Sequence, residues 1–519
     1  MKKTYLVLTF FSLFSIASNA QSGYDIKINF KGCTDSTVFL ARYFFDQMPI
    51  TDSCKKIKNG KIHFKGSMPL DKGVYFLANQ NKNNFYFQFI VDENQKMTIN
   101  LDNSKVIESL KAPDNKLNEQ FFAYVSYMTS KNKEMGNYVS QCKGKSKADS
   151  AKFINEKQKT LSDETTKFDK DFMTRNKGNF VYDLMNLRTE KYPTDVPLAK
   201  NGRPDSVYQY YYYKNHYFDG INFGDERLLY TPFFADKVKK YFETTIVQHP
   251  DTVIKELDKM LAKCVPGSQM FNTLVGHYTY KFEQNKTMSF DSKGKCNTFE
   301  KVFISLADKY IVTGKTQGYY SDETVQKIKD RVDILRNLLP GSKVADLYMI
   351  DTTFGKQVLK MGFDTAKTSV GATYLYNKNL DKLTPMFKTL YNVKAKYTIL
   401  VFWAADCSHC QTEIPKLNEE LKKIKGTVDY KVFAVQTKEE LYDSWKKFII
   451  EKQLNDFTHV FDPVHINGLA LKDRFDIVAT PVIYLLDKDK NIIGKKLGHE
   501  QTLEIIERLE NIEKQSNTK

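Results

Sequence analysis

Residues 398–420 read TILVFWAADCSHCQTEIPKLNEE. The apolar run 398–403 is short and has no polar alternation, which predicts a strand buried on both faces. Ile414, Leu417, Leu421 and Ile424 then recur at helical spacing, so a helix follows the strand directly. Cys407 and Cys410 fall at the junction. Working outward, DYKVFAV (429–435) predicts a second strand and KEELYDSWKKFIIEK (438–452) a second helix. After LALKDRFDI come the strand PVIYLLD, a KDKN turn, IIGKKLG and a closing helix TLEIIERLENI (502–512). Strand-helix-strand units followed by a hairpin and a last helix predict an α/β domain.

The pair Cys407-Ser408-His409-Cys410 has several chemical readings. A structural zinc site needs four ligands, and the chain contains no second Cys-x-x-Cys and no His-x-His. Haem attachment needs a histidine after the second cysteine, where Gln411 stands. A peroxidatic cysteine is expected in a Pro-x-x-x-Thr-x-x-Cys setting, and FWAADC lacks both companions. A purely structural disulfide would close almost no loop and contribute little stability. Redox exchange remains, with the redox-active Cys407–Cys410 disulfide as the only expected prosthetic element and no other cofactor or metal.

At the start of a helix, unpaired N–H groups favour a thiolate at Cys407. Cys410, one turn further in, is placed to attack a mixed disulfide formed by Cys407. His409 can donate a proton or carry positive charge beside the thiolate. Asp406 acts in the opposite direction through its negative charge.

These residues resemble the TlpA/ResA-like branch of the thioredoxin superfamily. TILVFWAADCSHCQTEIPKLNEE is similar to the family's strand and Cys-x-x-Cys-x-x-Glu-x-Pro core, and FDIVATPVIYLLDKDKNII (475–493) to its second core. The resemblance covers roughly 338–513. It implies that Cys407 attacks, Cys410 resolves, and Pro481 is a cis-proline facing the dithiol. Thr480 would then offer backbone hydrogen bonds to a substrate peptide, with Trp403 and Pro415 as structural companions. Val401 stands where cytosolic thioredoxins carry a buried acid, so that proton acceptor is absent here.

The rest of the chain predicts a multidomain protein: an N-terminal antiparallel β domain (21–111), a central α-helical domain (112–337) and a C-terminal α/β thioredoxin fold (338–519). YDIKINF and FYFQFIV alternate with period two, and KIKNGKIHF brackets an Asn59-Gly60 hairpin turn. This part resembles the β-rich domain of unknown function that precedes thioredoxin-like domains in envelope proteins of Gram-negative bacteria. In the helical part, Val253, Leu257 and Leu261 share one face. YQYYYYKNHYFDGINFGDERLLYTPFF (208–234) packs aromatics around His216, Asp219, Asp225, Glu226 and Arg227. That cluster reads either as a core whose tyrosines reach polar partners or as a surface that stacks sugars, bases or partner side chains. It also resembles a helical domain of unknown function from similar proteins.

MKKTYLVLTFFSLFSIASNAQ has the charged, apolar and small-residue layout of a secretory signal, so residues 1–20 are expected to be removed. The first cysteine is Cys33, which argues against a lipoprotein. An exported protein of the periplasm or cell envelope is expected, where disulfides persist. The formal charge of +16 is spread among acids, which predicts a solvated surface and no nucleic-acid partner. No later apolar run approaches membrane-spanning length. The functional expectation is an enzyme, a thiol-disulfide oxidoreductase acting on envelope proteins with thiols or disulfides and served by a redox partner protein. Two alternatives stand beside it: an envelope binding protein for a glycan or protein ligand with a scaffold thioredoxin domain, and a disulfide isomerase.

Overall fold

The computed structural model describes residues 23–82, 84–142, 146–285, 287–291, 294–316, 318–366, 368–465 and 471–517. The signal segment expected at 1–20 lies outside them. The chain divides into two compact units, one up to residue 246 and one from 247 onward. Helices of the region 112–337 contribute to both.

The first unit begins with seven strands: β1 (Asp25–Lys31), β2 (Thr37–Arg42), β3 (Ile50–Lys55), β4 (Lys61–Lys65), β5 (Gly73–Ala78), β6 (Phe85–Val91) and β7 (Lys96–Asp102). They form two sheets, β4-β1-β7 and β3-β2-β5-β6. Pairing is antiparallel except between β1 and β7. The alternation in the sequence becomes burial: Ile26, Ile28 and Phe30 face the core. Asn59 and Gly60 both take positive φ, the combination a two-residue hairpin turn demands, and Lys58 bridges Lys61 across it. The strand before that turn does not pair with β4. Lys56 also has positive φ, and the kink sends β3 into the other sheet against β2.

Two long helices, Lys116–Ser140 and Lys147–Arg175, follow. The first is tied to β6 by buried Asn118, which accepts from the Ile90 N–H at 2.7 Å and donates to its carbonyl at 2.8 Å. Tyr217, Phe218, Phe223, Phe234 and Tyr241 are buried against one another. Arg227 lies over the Phe180 ring at 4.4 Å and reaches Asp225 and Asp92 at 2.7 and 3.2 Å. Most of the aromatic cluster is thus a packed core with its charges paired, while Tyr208 and Tyr211 remain exposed.

The second unit opens with the helices Pro250–Leu261, Gln269–Gln284, Glu300–Leu306 and Asp322–Arg336, with a hairpin of β8 (Met288–Phe290) and β9 (Cys296–Thr298). Val253, Leu257 and Leu261 are buried as their spacing predicts. The remaining strands are β10 (Tyr348–Asp351), β11 (Phe387–Thr389), β12 (Tyr397–Trp403), β13 (Tyr430–Gln436), β14 (Thr458–Phe461), β15 (Val482–Leu486) and β16 (Ile492–Lys495). They form one sheet in the order β11-β10-β14-β13-β12-β15-β16. β12, β13 and β14 run parallel, and β15 and β16 return antiparallel.

Every residue of β12 is buried because both faces of the sheet are covered. Ile399, Val401 and Trp403 pack with Ile414, Leu417 and Trp445 on one face. Leu400 and Phe402 pack with Phe433, Phe475 and Leu347 on the other. Strands, helices and order are those of the expected thioredoxin fold, which leaves the carboxyl ends of the parallel strands as the place for a site.

Candidate functional site

β12 ends at Trp403, and the chain turns through Ala404–Asp406 into the helix Ser408–Lys423. Cys407 is the N-cap of that helix, with extended φ and ψ of −83° and 115°. Its sulfur accepts the Cys410 backbone N–H at 3.2 Å and its thiol donates to the Thr480 carbonyl at 3.1 Å. Burial pushes this thiol up, but hydrogen bonds involving Cys410, Thr480 and the backbone N–H groups of Cys410 and His409 outweigh it. The net position is below the ordinary thiol value. Cys410 is fully buried, and that burial pushes its thiol up to about 12. The two sulfurs therefore differ in access and in acidity: side-chain hydrogen bonds and the N–H groups of a helix N-terminus favour the charge at Cys407, and an apolar core opposes it at Cys410. All seven cysteines are free thiols here.

The loop before β15 completes the pocket. Thr480-Pro481 is a cis peptide bond, and both residues are half-buried. Four of the five residues singled out in the sequence thus meet around one sulfur: Cys407, Cys410, Thr480 and Pro481. The fifth, His409, lies in the first helical turn with its side chain exposed, and it is its backbone N–H that faces Cys407. Pro415 sits inside the helix without ending it.

Two neighbours are not among the residues singled out in the sequence. Lys438, just after β13, donates to the Asp406 carboxylate at 2.5 Å. Asp406, and to a smaller degree Cys407, hold its ammonium above the ordinary lysine value. The negative charge preceding Cys407 is thereby paired. Glu413, one turn beyond Cys410, pairs with His499 at 2.7 Å, at the start of the last helix His499–Asn517. Burial pushes the Glu413 carboxyl up, but the His499 hydrogen bond and charge carry it below the usual range. Glu413 stands in the quoted Glu-x-Pro motif, which was the available signal for it. Lys438 had none, since 31 residues separate it from Cys407. Beneath Trp403, His459 is buried among Trp445 and Phe457 and donates to the Leu454 carbonyl at 2.8 Å. Burial lowers its ring to about 4.

A dithiol at the mouth of a helix, fed by a central parallel strand and faced by a loop entering an antiparallel strand, defines a thioredoxin-like protein. The comparisons with known proteins agree. Residues 381–495 match the AhpC/TSA family, 153–317 a domain of unknown function (DUF5106) and 24–121 another (DUF4369). The thiol-disulfide oxidoreductase ResA of Bacillus cereus is 29% identical over 119 residues, which are 23% of this chain and 64% of the relative. A domain of a possible thiol-disulfide isomerase from Cytophaga hutchinsonii is 34% identical, with 35% of this chain and 97% of that one covered and a TM-score of 0.24. A thioredoxin-like protein from Bacteroides caccae is 14% identical over 61% of this chain and 99% of its own, with a TM-score of 0.40. The C-terminal domain is thus matched by the AhpC/TSA family model and is similar to the thiol-disulfide oxidoreductase ResA, 64% of whose length the chain spans. Among the described residues no helix is long and apolar enough to cross a membrane.

Proposed function

We propose that the protein is an exported thiol-disulfide oxidoreductase of the cell envelope that exchanges the Cys407–Cys410 disulfide with protein thiols. The observation that carries this reading is the asymmetry of the pair: a partly exposed Cys407 sulfur accepting the Cys410 N–H at 3.2 Å, and a fully buried Cys410. In the reducing direction the Cys407 thiolate attacks a substrate disulfide, forms a mixed disulfide and releases one substrate thiolate. Cys410 then loses its proton to solvent and attacks the Cys407 sulfur. The second substrate thiolate leaves, two electrons have passed to the substrate, and the protein holds the Cys407–Cys410 disulfide. The oxidising direction is the same sequence reversed. Thr480 and Pro481 flank the attacking sulfur, where an extended substrate segment would pair with the Thr480 backbone. His409 supplies an exposed imidazole at the rim, able to hold a proton near the departing thiolate. A redox partner protein resets the dithiol.

The test is trapping. Cys410→Ser should accumulate Cys407-linked mixed disulfides with envelope proteins, and Cys407→Ser should accumulate none. Equal trapping by both variants, or by neither, would sink the reading. Refolding of a scrambled disulfide substrate separates an isomerase from a plain reductase or oxidant. A binding role with an inert dithiol has one observation in its favour, the exposed Tyr192 stacked on Tyr213 at 5.1 Å beside a hollow of about 340 Å³. Ligand retention after both cysteines are replaced would support that reading.

A further inference from the structure

Four residues before Thr480, Asp476 is only 4% exposed yet carries a carboxylate. Two cations meet it. Arg331, from the helix Asp322–Arg336, places Nη1 on one carboxylate oxygen and Nη2 on the other, the second at 3.2 Å. Lys496, directly after β16, donates to the same second oxygen. Arg331 is itself braced by Glu283 of the helix Gln269–Gln284, 3.6 Å from its Nε. On the sheet side, the Tyr484 hydroxyl donates to the Phe475 carbonyl at 2.5 Å, and the Phe475 ring lies 4.9 Å from that of Phe402. The pair Phe475-Asp476 is thus pinned from the sheet and from the helical segment at once.

Only Ile477, Val478 and Ala479 separate this anchor from Thr480, whose carbonyl receives the Cys407 thiol. Three residues span at most about 11 Å, so a shift of the anchor is transmitted to Thr480. A buried carboxylate keeps its place only while its partners are present, because an uncompensated charge is drawn toward water.

We propose that Asp476 and Arg331 are positioning residues for the dithiol: their clamp joins the helical segment to the loop 475–481 and holds Thr480 against Cys407. This rests on the reading of Cys407 and Cys410 as an exchanging pair. The helical segment takes part through this clamp in setting the redox equilibrium. A second ion pair, Glu300 of the helix Glu300–Leu306 with Lys495 of β16, is buried on both sides but lies outside the loop, and it supplies an internal control.

The experiment measures the equilibrium constant of the 407/410 couple of the full chain against glutathione, with circular dichroism to verify folding. Asp476→Asn keeps the size and the left-handed backbone (φ 51°) of this position while removing the charge. Arg331→Met removes the clamp from the other side. The Thr480 side chain is among the groups that favour the Cys407 thiolate, so both variants should shift the couple toward the disulfide by about threefold or more, the worth of one hydrogen bond. Arg331→Lys should restore most of the wild-type value. The double variant Glu300→Gln/Lys495→Met should leave the couple unmoved. Should Asp476→Asn fail to fold, Arg331→Met decides alone. Folded variants with an unchanged couple, or a control that moves as far as they do, would overturn the clamp and leave the oxidoreductase reading standing. A wild-type chain with no reversible couple would overturn both.

Discussion

The Cys407 sulfur caps its own helix by accepting the backbone N–H of Cys410 at 3.2 Å, while the Cys410 sulfur lies fully buried one turn away. The backbone N–H of Cys410 therefore favours a thiolate at Cys407.

This relationship predicts the order of reaction with alkylating agents. Cys407 should be modified near neutral pH with a midpoint below that of an ordinary thiol. Cys410 should resist until pH approaches about 12 or the protein unfolds. Mass spectrometry of singly alkylated protein checks this, and modification of Cys410 first would contradict it. The reduction potential then gives direction: about −270 mV marks a reductase and about −120 mV an oxidant.

The Asp406–Lys438 pair makes a second prediction, with opposite signs for its two members. In Lys438→Met the unpaired Asp406 charge faces the Cys407 thiolate, and the alkylation midpoint should rise. In Asp406→Asn it should fall. Both groups are largely exposed, so the thiolate fraction should change by only about two- to fivefold at low salt. The effect should shrink as salt is added.

His459 links the core beneath Trp403 to pH. Its ring titrates near 4 in the folded protein against an ordinary 6.5. As pH falls below 6.5, the unfolded chain takes up a proton that the folded chain refuses, and stability is lost progressively until about pH 4. The total amounts to about 3 kcal/mol. Denaturant melts across that range should show the decline, and His459→Gln, which keeps a donor toward Leu454 but does not titrate there, should flatten it.

The buried pair of Glu300 and Lys495 should be costly to break and cheap to replace. Either single substitution strands a charge and should destabilise by about 3–5 kcal/mol, whereas Glu300→Gln/Lys495→Met should come close to the wild type. Thermal melts of the three variants check this.

The fold of the C-terminal domain was legible because its decisive features are local. An apolar run too short for a helix, a helical period starting at the cysteines and a proline opening a strand need no distant partner to be read. The convergence of the candidate site residues was legible for the same reason where they lie on those elements: Cys407, Cys410, Thr480 and Pro481. His409 lies in the first turn of the helix, where its backbone faces the sulfur while its ring faces solvent. The Asn59-Gly60 turn forms as its residues require, yet β3 leaves for another sheet. Turn chemistry is set by two residues, whereas strand partners are set by burial against segments far along the chain. Composition could not tell whether the tyrosines of 208–234 are core or surface, since the same rings suit both.

By itself, then, the sequence determined the strand-helix junction, the dithiol at its mouth and the proline loop that faces it, because each follows from backbone preference and hydrophobic period within a few residues. Only the tertiary structure decided which charges pair beside that dithiol and along the loop that faces it. Lys438 reaches Asp406 across 32 residues and Arg331 reaches Asp476 across 145. Electrostatic pairing depends on distance in space, and folding alone brings those side chains together.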